Sequence, residues 1–303
     1  RRLDPGELLM ELRPYQEEAR RAVEGDWEGA FLRTLLVLPT GCGKTVVFSK
    51  IIEDMVREGR RCLILAHRGE LLDQASDKLL KVTGLRCAVE KAEETCLGSW
   101  YRVAVGSVQS LQRPSRLARF QPDHFGCIVV DEAHHVLSDG YQRVLEHFPD
   151  ARVLGVTATP DRGDMRNLGQ YFEHLAYEYT LPRAIRDRYL CPIKAVTIPL
   201  KLDLSGVGVQ GGDFKSSDID TALDPYLYQI ASEMRQYCKD RRTVVFLPLV
   251  KTSQKFRDIL EQNGFRAAEV NGNSQDRAEV LQDFENGKYD VLCNSMLLTE
   301  GWD

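Results

Sequence analysis

The chain has 303 residues, of which 43% are apolar and 28% are charged, and its net charge at pH 7 is −5. This composition is typical of a globular protein of one or two domains and excludes a low-complexity chain. No run of about 18 apolar residues is present, so we expect neither a membrane span nor a membrane partner. The charge argues against a protein coated with basic residues for nucleic acid, although it leaves room for a local basic groove.

The cysteine pattern points to unpaired thiols. The 8 cysteines are scattered singly, without a C-x-x-C pair or a Cys/His cluster at zinc spacing. We therefore expect free and mostly buried thiols in a reducing compartment, and a cytoplasmic protein. The chain begins with Arg1 and has no signal peptide at its start, so we expect the numbering to begin inside a longer protein.

The first predicted helix is followed by a strand and a glycine-rich turn. The helix begins in Leu12-Arg13-Pro14-Tyr15-Gln16, where Pro14 suits the first helical position. Residues 34–37 predict a buried strand, and apolar residues at helical spacing after residue 45 predict a second helix. Between them lies the segment Leu38-Pro39-Thr40-Gly41-Cys42-Gly43-Lys44-Thr45. Strand, glycine-rich turn, Lys-Thr and helix are the context of a phosphate-binding P-loop.

The residue types of this segment suit a phosphate group. Gly41 and Gly43 let the backbone wrap around an anion, which the N–H groups at the helix start attract. Lys44 can reach the β- and γ-phosphates, and the Thr45 hydroxyl can bind Mg²⁺. The general pattern has glycine where this chain has Leu38, and the alternative interpretation is a chance glycine-rich turn before a helix.

Short apolar runs alternate with helical patterns along the rest of the chain. Strands are predicted at 61–66, 102–106, 127–130, 153–156, 195–198, 243–247, 267–270 and 290–293, with a loop or hairpin at 205–212. We therefore predict an α/β protein with parallel sheets. The predicted units are 1–192, with a connector from about residue 161, and 193–303, which has no phosphate loop and is incomplete.

Polar clusters follow several of these strands, at the sheet edge where α/β proteins bind ligands. In Asp131-Glu132, the first carboxylate can hold Mg²⁺ and the second can orient and deprotonate water. Combined with Lys44 and Thr45 from a neighbouring strand end, the pair predicts a nucleotide-hydrolysing site. The alternative for Asp-Glu alone is a helix N-terminus that complements the helix dipole.

Two further polar pairs lie close to these carboxylates in sequence or in the predicted sheet. His134 and His135 could be metal ligands, but no third ligand is evident, and we interpret them as hydrogen-bonding residues. Thr157 and Thr159 place hydroxyl groups at the adjacent strand end, where they could transmit the nucleotide state. The alternative is a capped turn before Pro160.

Eight segments in order resemble the motif set of superfamily 2 helicases and translocases. They are L-R-P-Y-Q, P-T-G-C-G-K-T, L-A-H-R-x-E-L, G-S-V-Q-S-L, V-V-D-E-A-H-H, T-A-T-P, V-V-F and T-E-G-W-D. The chain is similar to the bacterial and phage DEAD/DEAH-box group, which resembles restriction-enzyme motors and repair helicases. The resemblance implies tandem RecA-like P-loop NTPase lobes, ATP and Mg²⁺ as cofactors, and nucleic acid as partner, with DNA favoured over RNA.

The resemblance also implies roles for residues at matching positions. Arg13 and Gln16 would read adenine, Pro39 to Thr45 would bind the phosphates, and Gly301 and Asp303 would touch the ATP ribose across a cleft. The implied catalytic residues are Lys44, Asp131, Glu132 and His134, with Thr45 and Asp131 for Mg²⁺ and with Thr157 and Thr159 for coupling. Nucleic-acid contacts are implied for His67, Arg68, Glu70, Ser107, Gln109, Ser110, Asn271, Gly272, Arg277 and Thr299.

The sixth motif of the family, Q-x-x-G-R-x-x-R, does not occur before the chain ends at Asp303. Since its arginine finger stabilises transition-state charge, we expect this chain to bind ATP but to hydrolyse it weakly. A further C-terminal module or a partner subunit would then supply the arginine. Two alternatives to a motor stay open: an ATP-clamped nucleic-acid sensor or scaffold without productive unwinding, and an ATPase that acts on protein partners.

Overall fold

The computed structural model describes residues 11–66, 69–158, 167–197, 199–201, 203–210 and 213–295. It divides into two compact units, Arg1–Ile193 and Lys194–Asp303. In the first unit, the strands are β1 (Arg33–Val37), β2 (Cys62–Ala66), β3 (Cys87–Glu90), β4 (Val103–Ser107), β5 (Cys127–Asp131), β6 (Arg152–Thr157) and β7 (His174–Glu178). Its helices are α1 (Pro14–Glu28), α2 (Lys44–Arg57), α3 (Gly69–Thr83), α4 (Val108–Leu111), α5 (Pro114–Leu117), α6 (Asp139–Glu146) and α7 (Leu181–Arg186), with a 3₁₀ turn at Ala133–His135.

The strands of the first unit form one sheet in the order β3-β4-β2-β5-β6-β1-β7, in which every pair is parallel. This confirms the predicted parallel α/β fold. Two apolar clusters cover the sheet, one on the face of Phe48 and Ile64 and the other on the face of Phe120 and Tyr141. Because both faces are buried, β2 and β4 consist of residues that are buried throughout.

Three predictions about the strands were incomplete or wrong. The segment predicted as a connector from about residue 161 contains β7, which pairs with β1 at the sheet edge. Strand β3 was not predicted, because its four residues are too short a run to show a period. The predicted strand at 195–198 is wrong in its described part, since residues 195–197 adopt no regular structure. A strand needs a partner, which the local sequence pattern does not reveal.

The second unit has its own smaller parallel sheet. Its described strands are β8 (Val209–Gln210), β9 (Asp213–Phe214), β10 (Thr243–Phe246), β11 (Ala267–Val270) and β12 (Val291–Asn294). Its described helices are α8 (Ser216–Leu223), α9 (Leu227–Tyr237), α10 (Val250–Gln262) and α11 (Arg277–Glu285), with a 3₁₀ turn at Asp224–Tyr226. The parallel sheet has the order β10-β12-β11. Strands β8 and β9 pair antiparallel, in a stretch that overlaps the loop or hairpin predicted at 205–212 and extends beyond it.

The cysteines are free thiols, as predicted, and most of them are buried or half-buried. Within the described residues, every helix is too short or too polar to cross a bilayer.

Candidate nucleotide-binding site

The glycine-rich turn joins the end of β1 to the start of α2. Gly41 and Gly43 adopt φ angles of +81° and +73°, in the left-handed region that favours glycine. The N–H of Cys42 donates to the carbonyl oxygen of Pro39 at 3.1 Å, which closes the turn. Lys44 begins α2, so the positive end of the helix dipole lies at this turn. The backbone therefore has the form of an anion-binding loop.

Leu38 stands where the general P-loop pattern has glycine. Its side chain is fully buried in the core beside α1 and α2. Its N–H donates to the carbonyl oxygen of Thr157 at 3.0 Å, which extends the pairing of β1 with β6. Leu38 therefore continues the pairing of β1 with β6 by one residue and precedes the turn. The left-handed glycines that shape the loop come only after Pro39.

Helix α1 is tied to the turn through one carbonyl group. The Tyr15 hydroxyl donates to the carbonyl oxygen of Cys42 at 2.9 Å, and Gln16 Nε2 donates to the same oxygen at 3.0 Å. Gln16 Oε1 accepts the N–H of Arg13 at 3.0 Å, so both ends of this amide have protein partners. Cys42 itself is buried, and burial raises the pKa of its thiol, which suits a spacer rather than a nucleophile.

Three residues that local sequence motifs do not reveal support this side of the turn. The Tyr15 ring stacks on Tyr179 with ring centres 4.3 Å apart, and Tyr189 meets it edge-on at 4.7 Å. Leu190 packs against the loop so closely that a Cβ on Gly41 would lie 3.0 Å from its Cδ2. These residues lie far along the chain from the loop, and their only sequence signal is aromatic and apolar residues within a charged segment.

The carboxylates follow β5, where the backbone turns sharply. Glu132 adopts a φ of +52°, and its N–H donates to Asp131 Oδ1 at 3.0 Å. Burial, with a smaller contribution from the Glu132 charge, raises the pKa of Asp131 to about 6, and the Lys44 ammonium opposes this rise. The electrostatic effect of Lys44 on Asp131 indicates that the Lys44 ammonium lies near this carboxylate.

The expectation that these carboxylates lie on a strand next to β1 is wrong. Strand β6 lies between β1 and β5, so Thr157 at the end of β6 separates the turn from Asp131. The order of strands in a parallel sheet depends on which crossovers skip a position, and chain order does not encode it. Thr157 is buried, whereas Thr159 lies outside the described residues.

The residues predicted to hold Mg²⁺ fit that ion chemically. Thr45 supplies a hydroxyl oxygen and Asp131 a carboxylate oxygen, and Mg²⁺ prefers such hard oxygen donors. Asp131 also carries a raised pKa, so a nearby cation would stabilise its charged form. In the part of the chain that the structure describes, no group of three or more His, Cys, Asp and Glu residues could hold a metal by itself.

The two histidines lie on the 3₁₀ turn directly after the acidic pair. His134 Nδ1 is 3.6 Å from Glu132 Oε2, and the His134 and His135 rings are 4.0 Å apart. The His135 ring also stacks on Tyr141. His134 therefore faces the carboxylate that was predicted to act on water.

The segment predicted to meet nucleic acid after β4 is only partly exposed. Ser107 and Ser110 are buried, and the Ser110 hydroxyl accepts the N–H of Ala92 at 3.0 Å. Gln109 is exposed and is free to meet a ligand from the solvent side. The other predicted contacts in this unit, His67, Arg68 and the side chain of Glu70, lie outside the described residues.

A buried ion pair fixes the loop that Ser110 holds. Glu90 is fully buried at the end of β3, where it pairs with Arg116 and accepts the N–H of Cys96 at 2.7 Å. The Arg116 guanidinium also donates to the carbonyl oxygen of Ala92. Arg116 therefore has a structural role, although its sequence neighbourhood resembles a solvated basic face.

The second unit places its predicted nucleic-acid residues around one turn. Asn271 is buried, with Nδ2 3.1 Å from Glu269 Oε2, and Gly272 beside it is exposed. Arg277 is half-buried at the start of α11. The remaining predicted residues, Thr299, Gly301 and Asp303, lie outside the described residues.

Each of the two units matches the model of a known protein family. Residues 9–162 match the family model described as "Type III restriction enzyme, res subunit", which covers slightly more than half of the chain. Residues 226–303 match the model described as "Helicase conserved C-terminal domain".

Known relatives resemble nearly the whole chain. IRC3 of Saccharomyces cerevisiae, whose name describes a candidate ATP-dependent helicase, is 29% identical over 96% of this chain and 45% of that protein. The type I restriction enzyme EcoAI endonuclease subunit of Escherichia coli is 26% identical over 89% of this chain and 38% of that protein. The chain spans about half the length of the first curated relatives that it matches.

Solved structures of other proteins share the fold of this chain. The ATP-dependent Type ISP restriction-modification enzyme LlaBIII bound to DNA aligns with 98% of this chain and 25% of its own, at a TM-score of 0.67 and 16% identity. A turn of this form, the acidic pair after β5 and the two matching family models lead to one conclusion. The chain belongs to the superfamily 2 helicases, with the α/β fold of tandem RecA-like lobes.

Proposed function

We propose that this chain is the motor part of an ATP-dependent DNA helicase or translocase, which couples ATP hydrolysis to movement along DNA or to its unwinding. The observation that carries the proposal is the juxtaposition of the glycine-rich turn after β1, Thr157 at the end of β6, and Asp131-Glu132 after β5. These three strands are adjacent in the sheet, and their carboxyl ends bring the proposed phosphate-binding and water-activating groups together.

In this proposal the turn from Pro39 to Thr45 binds the ATP phosphates through backbone N–H groups and Lys44. Thr45 and Asp131 would hold Mg²⁺, which supplies positive charge beside the β- and γ-phosphates when bound. Glu132 orients the attacking water and takes its proton, and His134 at 3.6 Å positions that carboxylate.

Adenine recognition is proposed for Arg13 and Gln16, which lie at the start of α1 beside the turn. The Arg13 guanidinium lies 5.2 Å from the centre of the Tyr189 ring, so a cation and an aromatic face are available at this rim. Gly301 and Asp303 remain proposed contacts of the ATP ribose, as the family resemblance implies.

The proposed track is DNA, supported by the similarity to a restriction-enzyme subunit and by the likeness to a restriction-modification enzyme bound to DNA. Gln109, the exposed one of the predicted contacts after β4, would hold the phosphate backbone, so binding would be independent of base sequence and sensitive to salt. We also propose a cytoplasmic location, which the free thiols support.

The test is ATP turnover by this chain with single-stranded DNA, double-stranded DNA, RNA or no nucleic acid. Lys44→Ala and Glu132→Gln should abolish any stimulated rate, because they remove the phosphate-binding cation and the proposed base. Lys81→Ala and Glu146→Gln make the same charge changes at exposed helix positions and should leave the rate unchanged.

Each outcome discriminates between the hypotheses. Stimulation by DNA above RNA, lost in both site variants, supports a DNA motor. ATP-dependent DNA binding without strand displacement or movement would instead support a clamp that acts as sensor or scaffold. Turnover that no nucleic acid changes would overturn the proposal in favour of an ATPase with protein partners.

A further inference from the structure

Three neighbouring strands of the first unit each begin directly after an arginine. Arg86 precedes β3, Arg102 precedes β4 and Arg61 precedes β2, and these strands are adjacent in the sheet. The residue after each arginine pairs in register with the residue after its neighbour. The arginine backbones therefore stand side by side, about 4.8 Å apart, at the amino-terminal ends of the three strands. We call Arg86, Arg102 and Arg61 the arginine row.

The arginine row has no ion-pair partner among the described residues of the chain. Arg86 and Arg102 are exposed, and Arg61 is half-buried. In the described part of the chain, no carboxylate lies within the 4.0 Å ion-pair distance of these guanidinium groups. Arg102 Nη1 donates to the carbonyl oxygen of Gly59 at 3.1 Å, which orients it without neutralising it. Like charges side by side in a sheet destabilise it, so an external anion would relieve the row.

The arginine row does not continue to the next strand, β5, because a glycine precedes that strand. Gly126 precedes β5, and its N–H donates to the carbonyl oxygen of Arg61 at 2.9 Å. A Cβ on Gly126 would lie 3.4 Å from the Arg60 side chain, which covers this position. Arg60 differs from the row because its Nε lies 3.2 Å from Glu58 Oε2. The unbalanced charge is therefore confined to the side of β3, β4 and β2.

An aromatic pair borders the same stretch of sheet. Trp100 and Tyr101 immediately precede Arg102, and their side chains are 97% and 43% exposed. Because the Trp100 indole is almost fully exposed to water, it does not contribute to the stability of the hydrophobic core. Such aromatic residues beside cationic groups are characteristic of binding surfaces.

We propose that the arginine row and Trp100 bind the phosphate backbone and one base of a single nucleic-acid strand, at a second site remote from the ATP site. The row precedes strands β3, β4 and β2, whereas the ATP site follows the carboxyl ends of β1, β6 and β5. The two sites therefore lie at opposite strand ends of the same sheet: the row at the amino-terminal ends and the ATP site at the carboxyl-terminal ends. This proposal goes beyond the motor function and does not need ATP.

The chemistry of the surface favours a single strand over an acidic peptide. Guanidinium groups form paired hydrogen bonds with phosphate oxygens, and three in a row can follow successive phosphates. An exposed indole offers a flat face on which an unpaired base stacks. An acidic peptide would engage the arginines but would leave Trp100 without a planar partner.

The experiment measures binding of a fluorescein-labelled oligothymidylate of about 20 nucleotides to the full chain, without ATP, across about 50 to 200 mM salt. The test variants are Arg86→Ala/Arg102→Ala and Trp100→Ala. The control Arg21→Ala/Arg143→Ala removes the same charge from exposed positions on α1 and α6. Thermal unfolding of each variant verifies that it is folded.

The expected result is a weaker and less salt-sensitive complex for the double arginine variant. Each phosphate contact on a single strand contributes about 0.7 to the slope of log affinity against log salt, so the slope should fall by about 1.4. Trp100→Ala should weaken binding about five- to hundredfold, the usual range for losing one stacked base. Trp100 fluorescence, taken as the difference from Trp100→Phe, should be quenched by unlabelled oligothymidylate.

Unchanged affinity and slope in both test variants would overturn the proposal. Binding of polyglutamate that depends on the arginine row but not on Trp100 would overturn it in favour of an acidic peptide. The result is independent of ATP turnover, since Lys44→Ala should leave this binding intact. Failure of the motor proposal and failure of this proposal are therefore separate results.

Discussion

Gln16 Nε2 donates a hydrogen bond of 3.0 Å to the backbone carbonyl oxygen of Cys42, which joins the first turn of α1 to the middle of the glycine-rich turn. The Gln16 side chain is only 4% exposed, so this bond is made away from water. Its Oε1 holds the N–H of Arg13 at the same time. The amide therefore links the start of α1 to the loop shape, and nucleotide binding at the loop should depend on it.

Gln16→Ala should lower the free energy of unfolding by about 1 to 2 kcal/mol, because it removes two hydrogen bonds and leaves buried groups with fewer partners. It should also weaken the binding of a fluorescent ATP analogue severalfold. Tyr15→Phe removes one donor to Cys42 while keeping the aromatic stack, so its effect should be smaller. Equal binding of the nucleotide by Gln16→Ala and the unaltered chain would contradict this role.

Gly43→Ala should abolish nucleotide binding. The substitution places a Cβ at a φ of +73°, where it would lie 2.6 Å from Gln16 Nε2. Gly59→Ala is a matched control, because it has a similar φ of +84° but no atom within 4 Å of the added Cβ. It should cost only the left-handed backbone strain of about 1 kcal/mol.

A comparison of Gly43→Ala with Gly59→Ala separates the cost of backbone strain from the cost of the steric clash with Gln16. If Gly43→Ala and Gly59→Ala lower the free energy of unfolding equally, the close approach of Gln16 to the loop is not important. The double variant Gly43→Ala/Gln16→Ala should recover part of the stability lost in Gly43→Ala, since it removes the colliding amide. Urea unfolding followed by circular dichroism provides the comparison.

The stability of the nucleotide-free protein should decrease as pH rises from about 4 to about 6. Asp131 has a pKa of about 6 in the folded chain against an ordinary value of 3.8, so the folded state binds more protons in this interval. Asp131→Asn removes the desolvated charge and should raise the free energy of unfolding at pH 7 by about 3 kcal/mol. A pH-stability profile unchanged by Asp131→Asn would contradict the assignment.

Nucleotide binding should show the opposite dependence on pH. The ionised form of Asp131 is the one that can hold Mg²⁺, so affinity for ATP with Mg²⁺ should fall as pH drops through about 6. Calorimetric titration from about pH 5 to pH 7.5 measures the affinity. Asp131→Asn should bind weakly at every pH and lose this dependence. The control is Asp139→Asn, at an exposed position at the start of α6.

Glu90→Ala should be strongly destabilising, by about 3 to 5 kcal/mol, because it leaves the Arg116 guanidinium without its buried carboxylate. Arg113→Ala, an exposed arginine in the same segment, should change the free energy of unfolding by less than about 0.5 kcal/mol. Denaturant unfolding distinguishes the two. Similar small effects for both variants would show that Arg116 is solvated, as its sequence context suggests.

Much of the first unit could be predicted from local patterns. Continuous apolar runs indicated β1, β2, β4, β5 and β6, because a strand covered on both faces must be apolar throughout. The pair Gly41 and Gly43 indicated the turn, because both positions need a positive φ. The family and the candidate site residues followed from motifs of this kind, each of which is contiguous in the chain.

The sheet order could not be predicted, because it depends on long-range pairing. Strand β7 completes the sheet beside β1, and β6 separates β1 from β5, although neither arrangement is encoded near those residues. The stacking of Tyr179 on Tyr15 and the hold of Gln16 on Cys42 likewise join distant segments. Only packing decides which of many apolar or polar residues meet.

The arginine row illustrates the same division. Each arginine is visible in the sequence, where it reads as an ordinary solvated residue. The order β3-β4-β2 and the shared register bring three of them together at one end of these strands. Residue types and their spacing thus determined the chemistry that each segment can offer, because that chemistry is local. Tertiary structure alone decided which chemistries adjoin, because the free energy of packing is a property of the whole fold.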